Sequence, residues 1–445
     1  MFLIPFVSFK RYYLPLFFIY YILILVTRSV FKSTLLISLF NYPIFINLHY
    51  FGEKILLSKA FKLGNYYIGL SLTMFNLFVL LLTVLWFKKQ YKEKVNIISK
   101  PAIIYSLLFA FSLLLSSLFT DKSKYLFLNT LNYLPIILLF VIAQTTNLNK
   151  NMKRIVTIIY ANIILLESFI AIIQTYKQST LGIVIEFFRI AELKTFGYFT
   201  HEGGKFFRAV GTFSHPTELA VLLSFSIPFL LHLSKNKTKK IRYYIYFSCL
   251  LSFIALLTTQ ARFAIIITSV ILIITNIKEI LNFYKNINKK VLFIFFILFL
   301  SISIKIGSID RLLSSFQSVN PESSTLSSRT YLLKNSVKMI MSNPITGVGS
   351  GKFKKELIST AGTKSVNKFI SEVHNLFLLL ASEYGIPSAL LFYFVILSKA
   401  KTYKKNKLIS AGLSIFLLNS LMYNSGLNHI LMGLLIVDLN TNEKN

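Results

Sequence analysis

The sequence predicts an all-α, polytopic membrane protein with about eleven or twelve transmembrane helices, and three observations carry that prediction. Apolar runs of about 18 residues or more recur along the chain, the length a helix needs to cross a hydrocarbon core. These runs are continuous rather than alternating with period two, which excludes a strand barrel. Composition agrees: of 445 residues, 55% are hydrophobic and 15% aromatic, with a mean hydropathy of +0.65.

In chain order, the predicted spans are Tyr12 to Val30, Tyr66 to Phe87, Pro101 to Phe119, Tyr125 to Gln144, Ile155 to Thr175, Pro216 to Leu233, Tyr243 to Thr259, Phe263 to Asn276, Val291 to Ile306, Leu376 to Leu397 and Leu408 to Tyr423. A shorter run, Ile430 to Val437, closes the bundle. The first apolar run lacks a small-residue cleavage site and reads as a retained span. Residues 31–65 are expected at the outer face, with Thr34 to Tyr50 either a span or an interfacial helix. No fixed-period repeat appears, so the expectation is one membrane domain over 1–445 with two outer loops, 176–215 and 307–374.

Charge orients the bundle. There are 48 Lys+Arg against 16 Asp+Glu, a formal net charge of +32. The basic residues fall in short connectors, as the positive-inside rule expects, and not in one soluble domain, which argues against nucleic-acid binding. Lys88 to Lys94, Asn149 to Arg154, Ser234 to Arg242, Lys278 to Lys290 and Lys399 to Lys407 read as cytoplasmic. Alternation then puts the two large loops and the turn Gln260 to Arg262 outside. The single Cys249 lies within a span and offers neither a disulfide nor a thiolate metal site.

The polar stretch between Ser327 and Gly385 interrupts this membrane pattern and is the first candidate for chemistry. A helix over Arg329 to Ser342, capped by Ser327 or Ser328, is expected to stop at Asn343-Pro344. The glycines Gly347, Gly349 and Gly351 lack the lysine-serine ending of a phosphate loop, so they read as backbone geometry. A second short helix follows over Lys352 to Ser359.

Four outer-face features carry candidate residues. Arg208 opens Arg-Ala-Val-Gly-Thr-Phe-Ser-His-Pro at the start of a span. Arg262 sits in a tight turn between two spans; it reads either as a snorkelling interfacial arginine or as a guanidinium available to an anion. Arg329 reads either as a solvated loop arginine or as an anion ligand. His374-Asn375 precedes an apolar helix, where the histidine serves either as an interfacial anchor or as a general base. Glu372 and Glu383 are placed to tune that histidine or to pair with the arginines. His201, His215 and His429 are secondary candidates, and the six histidines show no metal-ligand spacing.

Together, Arg-Ala-Val-Gly-Thr-Phe before a span, an Ala-Arg turn, Arg329 with its downstream Pro344-to-Phe353 glycine segment, and His-Asn before a helix holding Glu-Tyr-Gly resemble the O-antigen ligase and Wzy-type polysaccharide polymerase superfamily. The resemblance covers roughly Arg208 to Tyr423. It implies a GT-C-like membrane glycosyltransferase in the bacterial cytoplasmic membrane, acting at its outer face on a glycan linked through pyrophosphate to undecaprenol, with inversion and without a metal or other cofactor. It further implies that Arg262 and Arg329 hold the pyrophosphate, that His374 is the base, and that Arg208 is an added anion contact. Asn375, Glu383 and His429 then become substrate-binding candidates. The implied partners are the lipid-linked donor, a glycan acceptor, membrane lipids, a flippase and a chain-length regulator. Polymerase is the favoured member of this class and ligase the alternative. A lipid-linked oligosaccharide flippase or other transporter is a third reading, weakened by the missing internal repeat.

Overall fold

The computed structural model describes residues 19–25, 27–40, 55–56, 61–63, 66–68, 71–72, 74–93, 100–120, 130–182, 198–201, 204–213, 215–235, 237–277, 325–361 and 371–441. The predicted span Val291 to Ile306 lies outside these residues. Helices dominate what is described. The strands are short and pair as three two-stranded antiparallel ribbons: β1 (Ile55–Leu56) with β4 (Ser71–Leu72), β2 (Phe61–Leu63) with β3 (Tyr66–Ile68), and β5 (Tyr198–His201) with β6 (Gly204–Phe207).

The chain divides into two compact units, one comprising Met1–Ile163, Tyr331–Thr402 and Leu427–Asn445, the other Ile164–Thr330 and Tyr403–Gly426. In the first unit, α1 (Val30–Phe40) packs on α2 (Met74–Glu93), and α2 on α4 (Leu134–Thr145). Helix α3 (Pro101–Thr120) packs on α4 and along α12 (Ile386–Thr402), while α14 (Leu427–Thr441) lies against α4. Helix α5 (Lys150–Lys177) carries the chain into the second unit. There, α6 (Pro216–Ser234) is the hub, contacting α7 (Lys239–Thr258), α8 (Arg262–Thr275) and α13 (Lys407–Ser420).

Four described helices, α3, α5, α6 and α7, are long and apolar enough to cross a bilayer; α1, residues 131–145, α8, α13 and α14 are shorter apolar helices. The side-chain arrangement fits a lipid environment. Leu80, Val84 and Phe87 on α2 and Phe111, Leu118 and Phe119 on α3 are exposed, a liability in water and the expected surface in hydrocarbon. Helix α7 shows the complementary rule: Ser248, Ser252 and Ala255, spaced four and three apart, are buried on one face, while Tyr243, Phe247 and Leu250 point outward. The buried hydroxyls are satisfied within the helix, Ser252 Oγ donating to the Ser248 carbonyl at 2.6 Å and Ser248 Oγ to Tyr244 at 3.0 Å.

Residues 33–39 of α1, in the stretch read as either a span or an interfacial helix, are buried against α2. Two sequence expectations are corrected. The run Leu376 to Leu397 is not one helix: α11 (Leu376–Tyr384) stops at Gly385 and α12 begins at Ile386. Lys399 is not a loop residue. It is buried in α12, where its Nζ lies 2.8 Å from the Asp438 carboxylate of α14 and also donates to Gln144 of α4. Gln144 in turn donates to Asp438, and Lys100 donates to the Gln144 carbonyl at 2.6 Å. Hydropathy registers none of this, since each residue sits at the edge of an apolar run.

Candidate functional site

The three candidate arginines belong to the second unit. Three residues, Thr259 to Ala261, join α7 to α8, and Gln260 adopts a left-handed conformation with φ 51. That conformation costs a non-glycine residue roughly 1 kcal/mol, and local interactions hold it. Thr259 Oγ1 accepts the Ala261 amide at 3.2 Å and donates to the Leu256 carbonyl at 2.7 Å. The turn delivers Arg262 to the first position of α8, where the helix dipole also favours an anion.

Arg208 reaches the same place from another segment. The last carbonyls of α7 lack intrahelical partners, and the chain before α6 uses them. The Ala209 amide donates to the Thr258 carbonyl at 3.1 Å, and the Arg208 Nε donates to the Thr259 carbonyl at 3.2 Å. Arg329 comes from the first turns of α9 (Thr325–Ser342), with Nη1 3.9 Å from the sulfur of Met422. Ser327 and Ser328 fall inside α9 rather than capping it at Arg329.

Tyr423 stands beside two of the three, Arg208 and Arg262. It is 4% exposed, and its ring meets Phe263, the neighbour of Arg262, edge to face at 6.4 Å. Its phenol lies within electrostatic reach of Arg208 and Arg262, and Arg262 within reach of Arg208 and Arg329. Burial pulls the Arg208 guanidinium down to about 10; the Tyr423 phenol opposes that shift and the charge of Arg262 adds to it. Arg208 therefore stays charged at neutral pH. Three like charges gathered at a turn repel one another, and an anion among them relieves that cost. Reading the sequence alone missed Tyr423, whose only signal was a position at the end of a span.

His374, Asn375, Glu383 and His429 belong to the first unit. Asn375, not His374, caps α11: its side-chain oxygen accepts the Leu378 amide at 2.9 Å. His374 stands on the bend immediately before that cap, half-buried, between the buried Val373 and Asn375. Glu372 forms a salt bridge with Lys354 at 3.2 Å. Glu383 is buried and receives backbone amides from Gly351 and, at 3.4 Å, from Phe353 at the start of α10 (Phe353–Ala361). It braces the glycine turn. His429 is buried in α14. His215 caps α6 by accepting the Thr217 amide, and the His201 backbone pairs with Gly204 in the last ribbon.

The segment 343–352 is laid against the break between α11 and α12. The Val348 and Gly349 amides donate to the Ser382 and Glu383 carbonyls at 2.8 and 2.9 Å, and the Ile386 amide returns to the Pro344 carbonyl at 2.8 Å. Ser350 and Tyr384 hydroxyls close the contact at 2.5 Å. Gly385 is required by this approach: it has φ 86 and ψ 162, and a β-carbon there meets the Ile345 carbonyl far inside van der Waals contact. Beneath the turn, Leu332, Met339, Phe353, Leu357 and Val373 form a small apolar core that fixes α9, α10 and the residue before His374.

None of the curated proteins matches the chain significantly. Residues 247–393, which include Arg262, Arg329, His374 and Glu383, match the family model described as O-antigen ligase, and the match supports the O-antigen ligase and Wzy-type superfamily for this membrane protein.

Proposed function

We propose that this chain is a multi-pass glycosyltransferase of the bacterial cytoplasmic membrane that polymerises repeat units carried on undecaprenyl pyrophosphate at the outer face. The observation that carries the reading is the gathering of Arg208 and Arg329 about Arg262, with Tyr423 beside Arg208 and Arg262 and Met422 against Arg329. An acceptor hydroxyl attacks the anomeric carbon of the donor glycan, and the carbon–oxygen bond to the pyrophosphate breaks. The leaving group departs with the electron pair as undecaprenyl pyrophosphate, the hydroxyl proton passes to His374, and the anomeric configuration inverts.

Negative charge grows on the pyrophosphate as that bond breaks, so preorganised guanidinium groups stabilise the transition state more than the ground state. Arginine suits the task because its planar fork engages phosphate oxygens in pairs and keeps its charge. General-base help from the histidine typically contributes about 10²- to 10⁴-fold. A donor anchored in lipid enters from the bilayer, which suits a site made where spans end.

The description of the matched family favours a second reading with the same chemistry, ligation of the finished glycan to another acceptor. One experiment separates them. Purified protein in proteoliposomes is given only the lipid-linked repeat unit; glycans of increasing length and released undecaprenyl pyrophosphate support polymerisation. Turnover that appears only when a separate acceptor is added supports ligation. Movement of the donor across the bilayer without bond formation removes both.

A further inference from the structure

The segment that carries Arg208 is held along one face of α5. Glu167 and Gln174, seven residues apart, share one side of α5, and Gln178 follows just past the helix end, in a left-handed conformation with φ 54. Gln178 Oε1 accepts the Phe207 amide at 2.8 Å. Gln174 Oε1 accepts the Val210 and Gly211 amides at 3.0 and 2.9 Å, while its Nε2 donates to the Gly211 carbonyl at 2.7 Å. Glu167 accepts the Thr212 amide at 3.0 Å and the Thr212 hydroxyl at 2.6 Å.

Glu167 and Gln174 are both 0% exposed in a helix apolar enough to cross a bilayer. Such side chains are costly at that depth unless hydrogen-bonded, and here their partners are the main chain of Val210–Thr212 and the Thr212 hydroxyl. Gly211 completes the fit: with φ 61 it presses so close to α5 that a β-carbon would stand 2.5 Å from Glu167 Oε2. On its other side the same segment is tied to the carbonyls of Thr258 and Thr259. The segment bearing Arg208 is thus clamped between α5 and the end of α7, with the Arg208 Nε on the Thr259 carbonyl, three residues before Arg262.

We propose that Glu167, Gln174 and Gln178 are positioning residues for the donor-anion site, a polar ladder along α5 and the turn at its end that fixes the Phe207–Thr212 backbone so that Arg208 stands with Arg262. The inference rests on the arginine cluster binding the donor pyrophosphate. The ladder acts through Arg208 and touches no substrate.

The test is a double-mutant cycle in proteoliposomes with the lipid-pyrophosphate donor, reading kcat and KM separately. Arg208→Ala is expected to lower kcat/KM by about 10²-fold, and Gln174→Ala by about tenfold or more. On the Arg208→Ala background, Gln174→Ala is expected to cost nothing further, because the group it positions is already gone. Equal, additive losses on both backgrounds overturn the proposal.

Glu167→Gln, which keeps an acceptor for Thr212, is expected to stay within about threefold of wild type, whereas the similarly sized Glu167→Leu behaves like Gln174→Ala. Equal losses in the two Glu167 variants also overturn it. Should Gln174→Ala fail to fold by its thermal midpoint, Gln178→Ala runs the same cycle. Arg262→Lys and Arg329→Lys report on the underlying reading: wild-type rates in both remove the anion site and the ladder's role with it. Losses there, combined with additivity in the cycle, remove the ladder alone.

Discussion

Replacing Gly385 with alanine is expected to detach the glycine turn from the α11–α12 break without unfolding the whole chain. Two costs combine. The backbone at φ 86 and ψ 162 is a region open essentially to glycine alone, and a side chain there costs about 1–3 kcal/mol. The added methyl also occupies the space of the Ile345 carbonyl and stands 3.0 Å from the Thr346 amide nitrogen, so residues 344–349 must retreat. That retreat breaks the Val348–Ser382, Gly349–Glu383 and Ile386–Pro344 backbone bonds, each contributing about 1 kcal/mol. The sum is roughly 4–6 kcal/mol, close to the stability of a whole domain, so local opening is the cheaper response. Hydrogen exchange followed by mass spectrometry in detergent micelles reads this directly. Peptides covering 344–352 and 382–388 are expected to lose about 10³-fold of protection, since about 4 kcal/mol divided by about 1.4 kcal/mol per decade gives roughly three decades. Gly182→Ala is the control: φ is 78 there, but nothing lies within 4 Å of an added β-carbon, so the change stays small and local. Unchanged protection at both segments in Gly385→Ala refutes the reasoning.

Lys399→Met leaves Asp438 buried without its cation, with Gln144 still donating to it, and is expected to cost about 3–5 kcal/mol, while Lys399→Met with Asp438→Leu returns to within about 2 kcal/mol of wild type; detergent-solubilised thermal or denaturant unfolding checks both. For Arg262→Lys and Arg329→Lys, a loss of about 10²-fold in kcat/KM is expected in each, because a point charge does not reproduce the paired fork; glycan-extension kinetics decide it. His374→Ala is expected to abolish transfer while leaving the thermal midpoint within a degree or two, since Asn375 rather than His374 caps α11; retained turnover removes it from the base role. Asn375→Ala is expected to destabilise the start of α11 by about 1 kcal/mol and Asn375→Ser to restore most of it, measured by unfolding.

The helical membrane class was written in the sequence because bilayer crossing is set by local quantities, the length and continuity of apolar runs, and α3, α5, α6 and α7 appear close to where those runs fall. Helix breaks were not written there. Leu376 to Leu397 reads as one apolar run because hydropathy does not register that Gly385 has a carbonyl from residue 345 pressed against it. The same blindness placed Lys399 in a connector, since its partner Asp438 is 39 residues away in sequence.

For the candidate site, residue type and local context were enough to single out Arg208, Arg262, Arg329 and His374. Charge in a short turn between spans is a local signal. Tertiary structure decided what those residues meet. Only folding brings Arg208, the end of α7, the start of α9 and residues 422–423 together about Arg262, and only folding shows that Asn375 takes the capping position, leaving His374 on the bend before it. The ladder along α5 and its end is the clearest case: Glu167, Gln174 and Gln178 are scattered polar letters in and just after an apolar run until a backbone some thirty to forty-five residues later is laid along them. Hydrogen bonds between a side chain and a distant main chain leave no periodic trace, so sequence alone determines which residues carry charge, and the fold determines what that charge is aimed at.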